Sequence, residues 1–395
     1  MRRITSAKVA SFGCLGAITI ALPSAAGGSS DHPIRSFRPD GPAAALELPS
    51  QVSTEYATGR EVVTQWMEIW KPMCGSRGAV TTADLTACAS AHGADFADPS
   101  LVTTVDTPQN GLAATLNIVF SLGASVPAAA VPAFEIAEQY LESQYTDPVT
   151  VTITVSYAAL GTGVLGATTP VYTSTTYTAG RAGIVAGADP SDTLQALLPP
   201  GSSIKVRYSG SSSTITNENK VYFTRANYKA TIGTATGNDA SMQFSTAVTW
   251  DYDPTNGVTG YSFADVVVHE VSHAMGFISA IGLWSKESSS LDLFRFQTTD
   301  GTADYNPDTN AEFTARPRLV SSNSPNDAHH TDMVGVEYRL SDGNPYQAAH
   351  LREESPTIGI MDPVMSTGVT RYPNFFMTSD RELLDLIGWD HVDME

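Results

Sequence analysis

Residues 269–273 read His-Glu-Val-Ser-His and run on into Ala-Met-Gly-Phe. On an α-helix, positions i and i+4 share a face, so His269 and His273 can present two imidazole nitrogens to one metal ion. Glu270 is adjacent to His269 and can reach a water on that ion, the placing a general base needs. An amphipathic helix carrying two surface histidines has the same spacing, but the flanks favour the metal. Residues 263–268 are apolar except for Asp265, as in a helix buried on most sides. Ser262 and Asp265 form an S-x-x-D helix start, and Gly276 stands where the helix should stop. The chemistry this points to is zinc-assisted hydrolysis, with zinc the expected cofactor.

Two histidines leave a catalytic zinc site incomplete, because such sites use three protein ligands and one open position. The compact extension of the motif puts its third ligand at position 279, which is Ser279, a poor zinc ligand. Further on, His350 precedes Ile-Met-Asp-Pro at 360–363 by about ten residues, and it is the leading candidate. His329 and His330, in Asp-Ala-His-His-Thr, are rivals whose plainer reading is a polar loop pair. Asp292, Glu353 and Glu354 also compete, and a glutamate ligand would point to a thermolysin-like site. Asp292 reads better as a structural partner of a histidine or of Arg295. Met361 reads equally well as a core methionine.

The elements that must position these residues are legible in part. Residues 116–122 predict a short apolar strand, and 128–145 a helix with Phe134, Ala137 and Leu141 on one stripe. Residues 149–157 alternate as a half-buried strand. Weaker strand signals fall at 204–208 and 221–224, within a Thr/Gly/Ser-rich stretch over 160–240. Residues 242–250 alternate again, predicting a strand just before the motif helix and an edge along which a peptide could lie.

The chain has 395 residues and a net charge of −19, enough length for a large core and the wrong sign for a nucleic-acid binder. Arg2, Arg3 and Lys8, the apolar run 9–22 and small residues to Ala26 predict a signal peptide over 1–26 and a secreted protein, extracellular or periplasmic. No later stretch predicts a membrane anchor. Residues 27–111 read as a pro-segment or small accessory region, with a linker at 96–111, and 112–395 as the catalytic domain. Within 61–95, residues 62–70 and 83–89 look helical. Cys74 and Cys88 most simply form a disulfide; the sharper reading makes Cys74 a cap on the zinc of a latent precursor. Asp251-x-Asp253 and Asp304-x-Asn306-x-Asp308 leave calcium open as a second metal, although neither completes an EF-hand loop.

The helix segment His-Glu-Val-Ser-His-Ala-Met-Gly-Phe, the distal His350 with Ile-Met-Asp-Pro, and the ending 378–389 that closes on Gly388-Trp389 together resemble the leishmanolysin-like metzincins. Similar arrangements occur in secreted bacterial metalloproteases. The resemblance implies His269, His273 and His350 as zinc ligands, Glu270 as base, Gly276 as the turn after the helix and Met361 beneath the zinc. It implies an α/β (α+β) zincin: a twisted, mostly parallel sheet, an active-site helix and a C-terminal subdomain ending in a helix. The expected protein is a monomeric secreted zinc endopeptidase acting on proteins or peptides. Its rival is a non-catalytic extracellular binding or adhesion protein that keeps a structural zinc.

Overall fold

In a computed structural model of the chain, residues 18–19, 103–105, 116–207, 214–280, 287–322, 329–330 and 336–392 are described. The Cys74–Cys88 pair, the helices expected within 61–95 and nearly all of the expected signal peptide lie outside these residues. Of the apolar run 9–22, Ile18–Thr19 (β1) pairs antiparallel with Val364–Met365.

Among the described residues the main sheet has five strands: Thr103–Val105 (β2), Asn117–Leu122 (β3), Thr150–Ala158 (β4), Gly166–Pro170 (β5) and, after four strands outside this sheet, Ala240–Ser245. Of those four, Tyr172–Thr176 (β6) and Lys220–Thr224 (β9) pair with each other; between them in sequence Ile204–Arg207 (β7) and Ile215–Glu218 (β8) form a hairpin. Ala240–Ser245 is therefore β10, and the order in the sheet is β2-β3-β4-β10-β5. The pairings β3–β4 and β4–β10 are parallel, whereas β2 and β5 close the two edges antiparallel. The molecule is thus mixed α/β with a sheet only partly parallel, which corrects the expectation of a mostly parallel one.

Two further expectations change. Thr103–Val105 falls inside the stretch read as a linker, yet it adds an edge strand to β3. The strand expected over 242–250 stops at Ser245 and runs in the interior of the sheet, between β4 and β5. The edge on that side is β5. Its sequence, Gly-Ala-Thr-Thr-Pro, has no alternation to betray it because all five residues are buried; alternation marks only strands with one wet face.

Among the described residues six α-helices accompany the sheet: Val131–Glu142 (α1), Tyr177–Ala186 (α2), Arg225–Thr231 (α3), Phe263–Met275 (α4), Asn310–Thr314 (α5) and Thr378–Asp385 (α6). The stripe of α1 faces the sheet: Phe134 packs on Phe120, Phe244 and Phe263 with ring centroids 5.0, 5.8 and 5.2 Å apart. Every residue of α4 is buried, so this helix is enclosed by α1, α3 and β5 rather than half-wet. After α4 the chain forms small antiparallel pairings, including Arg318–Ser321 with Tyr338–Leu340, and then returns beneath α4.

Candidate metal centre

The motif helix is fastened at both ends. Gly276 ends it at φ +125°, and its N–H donates to the His273 carbonyl oxygen at 3.2 Å. A side chain there would meet Ile387 Cδ1 at 2.8 Å and Asn227 Cβ at 3.0 Å, so glycine is needed for both conformation and space. Trp389 Nε1 donates to the Met275 carbonyl oxygen at 2.7 Å, satisfying one acceptor of the last turn. At the other end Ser262 is the N-cap residue, but its side chain accepts no helix amide. Its hydroxyl bonds the Asp265 carboxylate instead, so the expected S-x-x-D cap is not formed. Asp265 turns outward from the backbone to accept from Thr370 Oγ1 at 2.6 Å and Arg371 N at 2.7 Å. It ties the start of α4 to the chain beyond Met361.

His269, His273 and His350 converge, with ligand-capable nitrogens within 4.8 Å of one another. All three rings are fully buried. His350 stacks on His269 with centroids 5.2 Å apart and meets His273 edge-on at 5.0 Å. It is carried by an extended stretch: Ser341 N donates to the His350 carbonyl oxygen at 2.9 Å, and the next residue, Leu351, donates to the Met361 carbonyl oxygen at 3.0 Å.

The two helix histidines have their tautomers set by backbone. His269 Nδ1 donates to the Ile360 carbonyl oxygen and His273 Nδ1 to that of Phe277, each at 2.7 Å. A carbonyl oxygen only accepts, so both protons sit on Nδ1 and each neutral ring points an Nε2 lone pair into the site. Those two Nε2 atoms are 3.1 Å apart. Two facing lone pairs require a proton or a cation between them. Burial, aided by the neighbouring His273, pushes His269 well below its ordinary value of 6.5, and burial pushes His273 down to about 4. A shared proton is therefore disfavoured at neutral pH, while a metal ion suits neutral imidazoles. The residues fit a zinc-class ion on the chemistry of their donors.

Glu270 lies on the side of α4 that faces β5. Thr168 Oγ1 donates to Glu270 Oε2 at 2.6 Å and approaches the Glu270 carbonyl oxygen at 3.0 Å. The approach is close enough that a Cβ on Gly166 would fall 2.5 Å from Glu270 Oε1. Met361 is buried in the turn that supports His269. Asp380, near the start of α6, accepts the N–H groups of Ile360 at 2.8 Å, Met361 at 3.1 Å and Met377 at 2.8 Å. Burial raises the Asp380 carboxyl to about 6 against the pull of those amides. Neither Thr168 nor Asp380 stands out in the sequence: one is a threonine among many, the other a helix-start acid whose partners Ile360 and Met361 lie 20 and 19 residues away in the chain.

The rival ligands go elsewhere. Asp292 accepts from Ser279 Oγ and Ala280 N at 2.7 Å each, and pairs with Arg295 Nε at 2.6 Å. That is the structural role anticipated for it. Glu354 pairs with Arg339 at 3.1 Å. His329 and His330 join Asp192 and Asp385 in a separate buried group. In the first acidic stretch, Asp251 and Asp253 accept from Thr259 N and Thr255 N, at 2.9 and 3.0 Å. Asp304 likewise accepts from Asn306 N at 2.9 Å. These are side chains closing ordinary turns, and neither stretch brings together a group of metal-ligand residues among the described residues.

No family model, curated protein or solved structure matches the chain.

Proposed function

We propose that the chain is a zinc-dependent endopeptidase of the metzincin type. The observation that carries this reading is the pairing of three converging buried imidazoles with a carboxylate one residue along the same helix. His269, His273 and His350 would hold the ion. Bound there, zinc supplies a Lewis acid that polarises a peptide carbonyl and makes water acidic enough to attack it.

The chain's own residues do the rest. Backbone acceptors at Ile360 and Phe277 keep His269 and His273 in the ligating tautomer. Glu270 takes a proton from the attacking water on one carboxylate oxygen and delivers it to the leaving amine. Thr168 orients that carboxylate through a hydrogen bond to its other oxygen. Among the described residues β5 is an edge strand next to Glu270, and it is the strand on which an extended peptide would align by strand addition. Met361 and its turn support the site from below, the part that the leishmanolysin-like resemblance assigns to it.

One observation favours a second reading. Glu270 is only 1% exposed and the three histidines are not exposed at all, as in a structural zinc site that never meets substrate. On the enzyme reading, the same burial belongs to a latent form that must open, and the part of residues 27–111 ahead of Thr103 is the pro-segment whose removal opens it. The chain would leave the cell by the signal peptide over 1–26. Hydrolysis of casein by processed protein, with and without a chelator, separates the two. Chelator-sensitive cleavage supports the peptidase; bound zinc with no cleavage supports the structural site.

A further inference from the structure

The second histidine group does not serve the first site. Asp192, His329, His330 and Asp385 bring four ligand-type atoms within 4.8 Å of one another. The four side chains are at most 2% exposed. They come from three separate pieces of chain: the segment after α2, the 329–330 pair and the end of α6. The first two are joined by backbone, since Asp192 and His330 form a β-bridge and Thr193 N donates to the His329 carbonyl oxygen at 2.9 Å.

The polar atoms of this group are poorly satisfied. Neither ring nitrogen of His329 makes a hydrogen bond, nor does His330 Nε2, Asp192 Oδ1 or either carboxylate oxygen of Asp385. His330 Nε2 lies 3.4 Å from Asp385 Oδ2, and His329 Nε2 lies 3.8 Å from Asp192 Oδ1, both beyond the usual 2.7–3.2 Å. Buried polar groups left in this state are costly, and buried carboxylates more so. His330 Nδ1 also lies 3.4 Å from Asp192 Oδ1 and its Nε2 3.9 Å from Glu382 Oε1, so one imidazole stands against three buried acids.

The surroundings prepare these atoms as ligands. Asp192 Oδ2 accepts from Asp189 N and Gln195 Nε2, each at 2.9 Å, which anchors the carboxylate and leaves Oδ1 facing the histidines. Ser191 Oγ sits 3.1 Å from His330 Nδ1, which orients the ring so that Nε2 faces Asp385. Supporting partners of this kind are the usual accompaniment of metal-ligating residues. Two imidazoles with two carboxylates are a zinc-class donor set, since calcium and magnesium take oxygen ligands.

We infer that Asp192, His329, His330 and Asp385 form a second, structural metal site for zinc or a similar transition ion. It would fasten the segment after α2 and the 329–330 pair to the end of α6. That helix also carries Asp380, whose carboxylate grips the Ile360–Met361 turn. The site is independent of the peptidase reading and survives its failure.

The test is zinc content per chain, read by plasma mass spectrometry on the full-length protein dialysed against dilute zinc. Two zinc ions per chain are expected for the wild type, and one for Asp385→Asn and for the double variant His329→Gln/His330→Gln, with unchanged circular dichroism. Wild-type zinc content in both variants overturns the proposal. Crystals of the unaltered chain give a reading that needs no variant to fold. Anomalous scattering at the zinc edge should show a peak among His329, His330, Asp192 and Asp385, and no peak there overturns the proposal. A peak there without one at His269, His273 and His350 upholds this site and sinks the peptidase reading instead.

Discussion

The carboxylate of Asp380 accepts the Met361 amide at 3.1 Å through one oxygen and the Ile360 amide at 2.8 Å through the other. The carbonyl of that same Ile360 receives His269 Nδ1. One buried acid on α6 thus fixes the peptide that fixes a candidate ligand. Asp380→Asn places an amide NH₂ against a backbone N–H and should weaken zinc binding about 10- to 100-fold, as loss of supporting partners does elsewhere. Zinc affinity by chelator competition checks this; an unchanged affinity would mean the turn holds without the clamp.

Glu270→Gln should keep its zinc and lose turnover by about 10²- to 10⁴-fold, because ligation uses imidazoles while proton transfer needs the carboxylate. Thr168→Val should also keep zinc, with a smaller loss confined to kcat, since only the orientation of Glu270 is relaxed. Kinetics on a fluorogenic peptide, beside metal analysis, distinguish the two. Near-normal activity in Glu270→Gln would remove Glu270 from the role of base.

His350→Ala should abolish activity and release the zinc held by His269 and His273. His329→Ala and His330→Ala should retain the zinc held by His269, His273 and His350, because neither joins the first cluster. Loss of peptidase activity in the His329 and His330 variants with retention in His350→Ala would reverse the ligand assignment.

Acid should weigh on the metal-free protein through His273. Its folded value of about 4 is depressed from 6.5 by burial, so the unfolded chain takes up the proton first. The stability this histidine contributes is whole above pH 6.5 and is lost as pH falls toward 4, about 3 kcal/mol over the full window. Buried Asp147 and Asp362, raised to about 7, act in the opposite direction. Urea unfolding with chelator at pH 7 and pH 4.5 should therefore be compared between wild type and His273→Gln, in which those aspartates are common. A stability gap that stays constant with pH would contradict a neutral buried His273.

The processed N-terminus should fall before Thr103. Thr103–Val105 pairs with Phe120, Ser121 and Leu122 at the sheet edge, and cleavage beyond it would strip that strand. N-terminal sequencing of active protein checks this. A start at residue 27 would make the segment an accessory domain instead of a pro-segment.

The motif helix and its stop at Gly276 were legible because their information is local: a 3.6-residue period, a breaker and two histidines four apart. The strands over Asn117–Leu122 and Thr150–Ala158 were legible for the same reason. What could not be read was long-range. β5 has no period because both its faces are covered, and Thr168 gains its role only when β5 lies against α4. His329 and His330 look metal-ligating in the sequence, but Asp192 and Asp385 come from segments far away in the chain, so nothing local places the pair in a group of its own.

The position of α6 has a consequence for how the protein is made. A chain emerging from its N-terminus presents His269 and His273 first, and His350, Asp380 and Trp389 later. Until those last residues are out, the motif helix has no third imidazole, no fixed turn beneath it and no cap on its final carbonyl. On the metal-site reading, capture waits for those later residues, and a copy truncated between Met361 and Asp380 would carry every candidate ligand of the first site yet lack the clamp that aligns them.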